Sequence, residues 1–242
     1  MNIDSDLRPM EGDDEETLWR KAHAYCAERL GVTSMLYGFT HSRHLRARVG
    51  VSRSLLVRHS HPQEYVDHFG GQTFLENDLC TLVLMEASGP FMWADAAKMP
   101  DATPEQIRQA EIDHEFGMDV GVSLGFSFGG GHGMSGIGLC ARWMDPAEFE
   151  RRWRRESEAV IAWIGEFDRY MRPAMIAARF KLSPRQREVV ALAVGGMLVK
   201  EIAAHLDLRE STVYNYLEAA RTALDAATSM EAVAKALVYG LL

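Results

Sequence analysis

The 242-residue sequence has no apolar run near the roughly 20 residues a spanning helix needs, which excludes a protein that crosses the membrane by helices. Cysteine is scarce. Cys26, Cys80 and Cys140 are odd in number and far apart, so they offer neither a metal-ligand pair nor a disulfide framework and suit a reducing compartment. The opening residues, MNIDSDLRPMEGDDEE, lack the basic-then-apolar order of an export signal, and the expectation is a cytoplasmic protein with no membrane partner. No nucleophile carries a nearby base signature, which argues against an enzyme. His41, His44, His59, His61 and His68 form a His-rich stretch without a metal-ligand motif, so neither a metal nor a resident cofactor is expected. Residues 131–136 match G-x-G-x-x-G literally. They lie between two strand-like runs, with no acidic residue at the dinucleotide spacing, and read as a turn.

What is present is an ordinary globular mixture, 47% hydrophobic and 25% charged, able to bury a core. The net charge of −8 is unevenly spread. Residues 179–242 carry eight Lys/Arg against seven Asp/Glu, leaving 18 against 27 for residues 1–178. Only the C-terminal quarter escapes repulsion by DNA, and the asymmetry suggests two domains.

The pattern along the chain predicts a loose end over 1–14, then a helix over 15–30 stopped by Gly31. Strands are expected over 34–39, 54–59 and 90–94, with a helix after Pro62 that carries Tyr65 and Phe69 and ends at Gly70-Gly71. A helix over 104–116 precedes a glycine-joined hairpin of 120–128 and 134–141. A long helix follows from Asp145 to about Arg172, and the Glu-flanked arginines 151, 152, 154 and 155 read as a solvated ion-pair face. Together these predict an α/β/α sandwich on an antiparallel sheet for residues 15–172. Val160, Ile164, Phe167 and Met171 make one apolar stripe, a candidate dimer surface that could equally seal the domain's own core.

Residues 173–181 read as a linker, after which the strand pattern disappears. Residues 182–242 read as an all-α, four-helix domain. Ser183-Pro184 starts the first helix, Val199–Leu206 forms the second, and a tight turn at 207–209 leads to a third over 210–224. The fourth starts at Ser229 and carries Val233, Ala236, Leu237 and Leu241. Two helices joined by such a turn are the pattern of a helix-turn-helix.

At residue level, LSPRQREVVALAVGG, KEIAAHLDLRESTVYNYL and AVAKALVYGLL resemble the C-terminal domain of LuxR-type transcription regulators over about 60 residues with the spacing intact. The N-terminal part resembles the branch of that family that senses N-acyl homoserine lactones. Its ligand domain is marked by a Trp, a Tyr four residues later, an Asp-Pro, a second Trp and a Gly; here the spacing yields Tyr65, Phe69, Asp78-Leu79, Trp93 and Gly121. Asp78, Trp93 and Gly121 match, while Tyr65, Phe69 and Leu79 depart.

The resemblance implies a ligand site of His61, Tyr65, Phe69, Asp78 and Trp93, with an N-acyl homoserine lactone or another small molecule as effector. Asp78 suits a ligand amide N–H, since a buried carboxylate needs a donor. Tyr65 offers a hydroxyl where the family has an indole N–H, Phe69 offers ring area alone, Trp93 an aromatic wall and His61 a rim contact. For double-stranded DNA, Arg185, Arg187, Lys200, Arg209 and Arg221 are the phosphate candidates, and Thr212, Tyr214, Asn215 and Glu218 lie on the exposed face of the third helix. Asn215 suits adenine and Glu218 cytosine. The family's Thr-Asn is Leu198-Val199 here, and its capping Ser is Arg209, so Ser211 or a free N–H must serve at that helix start. The leading expectation is therefore a homodimeric, ligand-responsive transcription regulator of the quorum-sensing type. The alternative, motivated by Leu198-Val199 and the thin positive charge, is a regulator with little DNA binding of its own that works by dimerising with a related transcription factor.

Overall fold

The computed structural model describes residues 7–86, 89–98 and 101–242. Helix α1 (Glu15–Leu30) begins where the Asp14 carboxylate accepts from the Thr17 N–H at 2.8 Å, and it stops at Gly31 with φ +74°. Strands β1 (Ser34–Thr40), β2 (Leu56–His59), β3 (Gly89–Met92), β4 (Gly121–Phe128) and β5 (Gly133–Cys140) form one sheet in the order β2-β1-β5-β4-β3. β1 pairs antiparallel with β2 and β5, and β3 with β4. Between them lie α2 (Gln63–His68), α3 (Leu79–Glu86) and α4 (Pro104–Glu115), the last opened by a reciprocal Thr103–Gln106 capping box. The long helix α5 (Pro146–Arg179) follows, and its arginines 151, 152 and 154 pair with Glu148 and Glu150 as the charge pattern predicts.

The period-2 alternation of β1 divides the sheet into two faces. Tyr37 meets Phe167 of α5 edge-on at 5.3 Å, while Leu36 faces the opposite side and lines a cavity. On the α5 side, Tyr25 of α1 stacks on Trp163 at 4.6 Å, and the Tyr37 hydroxyl donates to Asp168 at 2.7 Å. Arg172 reaches the other Asp168 oxygen at 3.1 Å, so this buried carboxylate is held from both sides. Val160, Ile164, Phe167 and Met171 are fully buried in this layer. They belong to the chain's own core, which removes them as a dimer surface: side chains already packed on the sheet have no area left to offer a partner.

Other departures have equally local causes. The expected linker begins inside α5, which runs through Pro173 to Arg179; Met175 and Ile176 continue the apolar stripe of Met171 and keep the helix going. Residues 51–54 are helical, shortening the expected strand to β2. Helix α3 went unpredicted because LCTLVLME is apolar nearly all round and gives periodicity no contrast.

The described residues separate into two compact units, one of residues up to Ser127 plus Met134–Arg172, the other of Phe128–Gly133 plus Pro173–Leu242. The second holds α6 (Pro184–Val194), α7 (Val199–Leu206), α8 (Glu210–Ala223) and α9 (Ser229–Val238). Val189, Ile202, Ala203 and Val213 form the centre of the α6–α8 bundle. Asp207 turns the chain between α7 and α8 with φ +53°. Leu237, expected inward on α9, is exposed; Ala232 and Ala236 carry the buried face instead. In the G-x-G-x-x-G segment, Gly133 opens β5 with no room for a Cβ against the Phe128 ring, as a turn requires.

Removing the Tyr37 hydroxyl leaves one Asp168 oxygen without its donor. Tyr37→Phe is expected to destabilise the protein by about 1–3 kcal/mol, read as a lower urea midpoint with an unchanged slope.

Candidate functional site

On the face of the sheet away from α5's core stripe lies a cavity of about 850 Å³, within the usual size of small-molecule pockets. Its floor is sheet (Leu36, Gly121, Ser123 and Gly138), and α2, α3 and α4 supply its walls. His61, Tyr65, Asp78 and Trp93 all line it. Phe69 does not. It packs edge-on against the Tyr65 ring at 5.3 Å and against His68 at 5.1 Å, a turn further along the chain, where it supports the wall from behind.

The polar groups of the wall are tied to one another. Tyr65 is buried among Phe74, Phe116 and Phe69, and its hydroxyl donates to Asp113 Oδ1 at 2.7 Å. Gln109, one turn before Asp113 on α4, donates to the same oxygen at 2.9 Å and to the Tyr65 oxygen at 3.3 Å. The Trp93 indole N–H donates to Ser123 Oγ at 2.8 Å. A Cβ on Gly121 would sit 2.7 Å from the Trp93 ring and 2.3 Å from the Leu139 carbonyl, so glycine is the residue that lets this ring lie on the sheet. Asp78 caps α3, accepting from the N–H groups of Thr81 (2.9 Å) and Cys80 (3.2 Å) and from the Thr81 hydroxyl. Its helix-cap role and its place in the cavity wall thus coincide.

Charge in this wall is perturbed in consistent directions. Burial pushes the Asp78 carboxyl up, against the pull of its α3 donors. Asp113 is pushed up to about 7, first by burial and then by the neighbouring Asp78 charge. His61 is lowered to about 3 by burial, helped by His59 and Arg142, and stays neutral; its Nδ1 lies 2.6 Å from Ser34 Oγ. Sequence reasoning missed Asp113, Gln109 and Ser123. Gln109 and Asp113 share a helix face at i,i+4, but in a helix as polar as PEQIRQAEIDHE that spacing stands out little.

In the second unit α8 follows α7 after the turn at Asp207, and Tyr214, Asn215 and Glu218 are exposed on it, with Thr212 partly so. Glu218 and Arg221 hold each other through Oε–Nε contacts of 2.9–3.0 Å, and Arg221 also donates to the Ala226 carbonyl. Arg185 pairs with Glu188 at 2.6 Å. Arg187, Lys200 and Arg209 carry no ion pair among the described residues. Arg209 occupies the α8 N-cap position with no side-chain cap bond; its carbonyl accepts from the Thr212 N–H at 2.9 Å and the Val213 N–H at 3.2 Å. Exposed Leu198 stands at the α7 N-cap, where Glu201 accepts from its backbone N–H at 2.8 Å.

A ligand-sized cavity with a prearranged polar wall, together with an exposed helix after a tight turn, defines a ligand-responsive DNA-binding regulator. Comparison with known proteins agrees. Residues 14–169 match the family described as "Autoinducer binding domain", and residues 181–224 match "Sigma-70, region 4". RpaR of Rhodopseudomonas palustris, an HTH-type quorum sensing-dependent transcriptional regulator, is 28% identical over 189 residues, covering 78% of this chain and 75% of RpaR. SolR of Ralstonia nicotianae, a transcriptional activator, is 25% identical over 239 residues, covering 95% and 93%. Escherichia coli SdiA shares the fold with a TM-score of 0.58 at 16% identity, covering 99% of this chain and 95% of SdiA; its complex with octanoyl-rac-glycerol scores 0.54 at 15% identity, covering 97% and 91%. The chain belongs to the autoinducer-binding family and is a LuxR-type quorum-sensing transcription regulator, with a small-molecule effector domain and a DNA-binding domain, and not an enzyme. Among the described residues no helix is long and apolar enough to cross a membrane.

Asp113 makes a testable contribution to stability. Its pKa is about 7 in the fold against an ordinary value of 3.8, so between these pH values the native state holds more of its proton than the unfolded chain. The stabilisation from this group is therefore complete below about pH 4 and is lost as pH rises through about 7. Asp113→Asn, whose amide oxygen still accepts from Tyr65 and Gln109, is expected to gain thermal midpoint relative to wild type at pH 8 and to keep less than half of that advantage at pH 5, as scanning calorimetry at the two pH values would show.

Proposed function

We propose that a small molecule enclosed by the cavity sets the DNA affinity of the helix-turn-helix carried on the same chain, and that the chain acts as a homodimer on a two-fold DNA site in the cytoplasm. The observation that carries this reading is the cavity's preassembled wall, in which Tyr65, Asp113, Gln109, Trp93 and Ser123 are already oriented by one another. Preorganised polar groups in an apolar cavity lower the ordering cost of binding. A ligand that binds only the folded domain adds its binding free energy to that domain's stability and shifts the chain toward its bound arrangement. The effector is an N-acyl homoserine lactone or another small molecule of that size, contacting His61, Tyr65, Asp78 and Trp93.

On the DNA side, Asn215 is the base reader, suited to two hydrogen bonds with adenine, and Thr212 and Tyr214 lie beside it. Glu218 and Arg221 must part before either can contact DNA. The phosphate contacts then rest first on Arg187, Lys200 and Arg209, with Arg185 held back by Glu188. Two copies placed about one helical turn apart read successive major-groove faces. The dimer surface lies outside the buried α5 stripe.

Full-length protein incubated with fragmented genomic DNA from its own host, at low and moderate salt, tests the reading by sequencing what is retained. The expected outcome is enrichment of a two-fold motif, lost in Asn215→Ala. Arg209→Ala is expected to weaken binding to all fragments alike and to reduce the salt slope by about one unit. Retention without a motif that vanishes at moderate salt would contradict autonomous sequence reading.

A further inference from the structure

Resting on the effector reading above, the chemistry of the cavity wall narrows the class of ligand. The donors around the two carboxyl groups are already engaged within the protein. The Tyr65 hydroxyl and the Gln109 amide point to Asp113, the Trp93 N–H to Ser123, and the Thr81 hydroxyl to Asp78. A carbonyl or ring oxygen entering the cavity meets those bonds already made, and the lining donors left to it are the Ser123 hydroxyl, one His61 nitrogen, the Gln106 amide and the Trp153 indole N–H. The acceptors are in the opposite condition. Asp113 Oδ2 has no hydrogen-bond partner among the described residues, and Asp78 Oδ1 accepts a long contact of 3.2 Å from the Cys80 N–H, the Cys80 thiol also bonding the Asp78 carboxyl. Both carboxyl groups line the same cavity, and they are near enough for the Asp78 charge to raise the Asp113 pKa.

Positive charge does not answer this pair from within the wall. His61 is held neutral, Arg154 at the lining is paired with Glu150 at 2.5 Å, and His114 is paired with Asp119 at 2.6 Å. Two carboxyl groups in an apolar, partly enclosed space repel each other, a condition relieved by a proton or by a donor-rich guest. Around them Leu75, Leu79, Leu84, Met92 and Met118 provide room for an apolar body.

We propose that the ligand of this cavity carries a protonated amine, with at least one further N–H donor, bound between Asp78 and Asp113, and an acyl or other apolar chain laid against the leucine and methionine wall. An ammonium between two carboxylates makes charge-assisted hydrogen bonds that a lactone ring cannot make, and its charge favours the ionised form of Asp113. The preference must therefore weaken at acid pH. The titratable and charged groups on the cavity lining are His61, Tyr65, Asp78, Cys80, Asp95, Asp113, His114, Asp119, Glu150 and Arg154; Asp113 is pushed up to about 7, and the Asp119 carboxylate raises His114.

Three octanoyl probes on the full-length protein test this by calorimetry: N-(2-aminoethyl)octanamide, its neutral analogue N-(2-hydroxyethyl)octanamide, and N-octanoyl homoserine lactone. The expected result is at least about tenfold tighter binding of the amine than of either neutral probe at pH 8, a preference that shrinks at pH 6. Asp113→Asn should bring the amine's advantage over the neutral probes, measured on the same variant, to within about twofold, with an unchanged circular dichroism spectrum. Lactone binding equal to or tighter than amine binding, sensitive to Trp93→Ala and indifferent to Asp113→Asn, would overturn the charge assignment and leave the effector reading standing. Saturable binding of none of the three would overturn both.

Discussion

A carboxylate inside an apolar wall has to be given hydrogen-bond donors, and much of the effector domain is arranged around that requirement. Asp78 meets it by capping α3, so the helix that closes one side of the cavity starts at a residue that lines it. Asp113 meets it with donors from two elements, Tyr65 on α2 and Gln109 on α4, which fixes these helices against each other. On the far side of the sheet Asp168 is treated in the same way by Tyr37 and Arg172. Polar burial here specifies which elements touch, while the surrounding aromatic and aliphatic packing supplies most of the stabilisation.

The antiparallel sheet then separates structural from functional duties by simple alternation. Odd positions of β1 such as Tyr37 and Phe39 are packed within the core, with Tyr37 against α5, whereas Leu36, next to Tyr37, faces the cavity. Gly121 and Gly138, on β4 and β5, keep that face low enough for the Trp93 ring to lie across it. The ring is positioned by sheet backbone and by Ser123 on β4.

Much of this was legible in the residues, and the gaps have physical causes. Amphipathic helices with caps, such as α1, α4 and α6, and the glycine-joined hairpin were readable because their periodicity and punctuation agree. Helix α3 was not, since a segment apolar on every side carries no period. The stripe from Val160 to Met171 was visible as a stripe, but periodicity states that a face is buried without stating what buries it. In the site, family spacing located the side chains of Tyr65, Asp78 and Trp93 on the cavity lining, and nearness to Tyr65 located His61. Phe69 was misplaced because spacing along a helix does not say which residue points inward at its last turn. Asp113 and Gln109 were invisible for the converse reason: their significance comes from Tyr65, far away in sequence, and from a burial that no local pattern announces.

The DNA-binding unit has a sound hydrophobic frame and a sparse set of free cations, with Arg221 and Arg185 held by neighbouring glutamates. Such a reader is sensitive to small changes in presentation, which suits an output set by a ligand elsewhere in the chain. The most direct test is to measure the full-length protein's affinity for a retained DNA motif with the cavity empty and with it saturated by whichever octanoyl probe binds. The account predicts a change of about fivefold or more, matched by an equal change in probe affinity when DNA is added, because such coupling is reciprocal. DNA affinity unchanged at full occupancy of the cavity would contradict it.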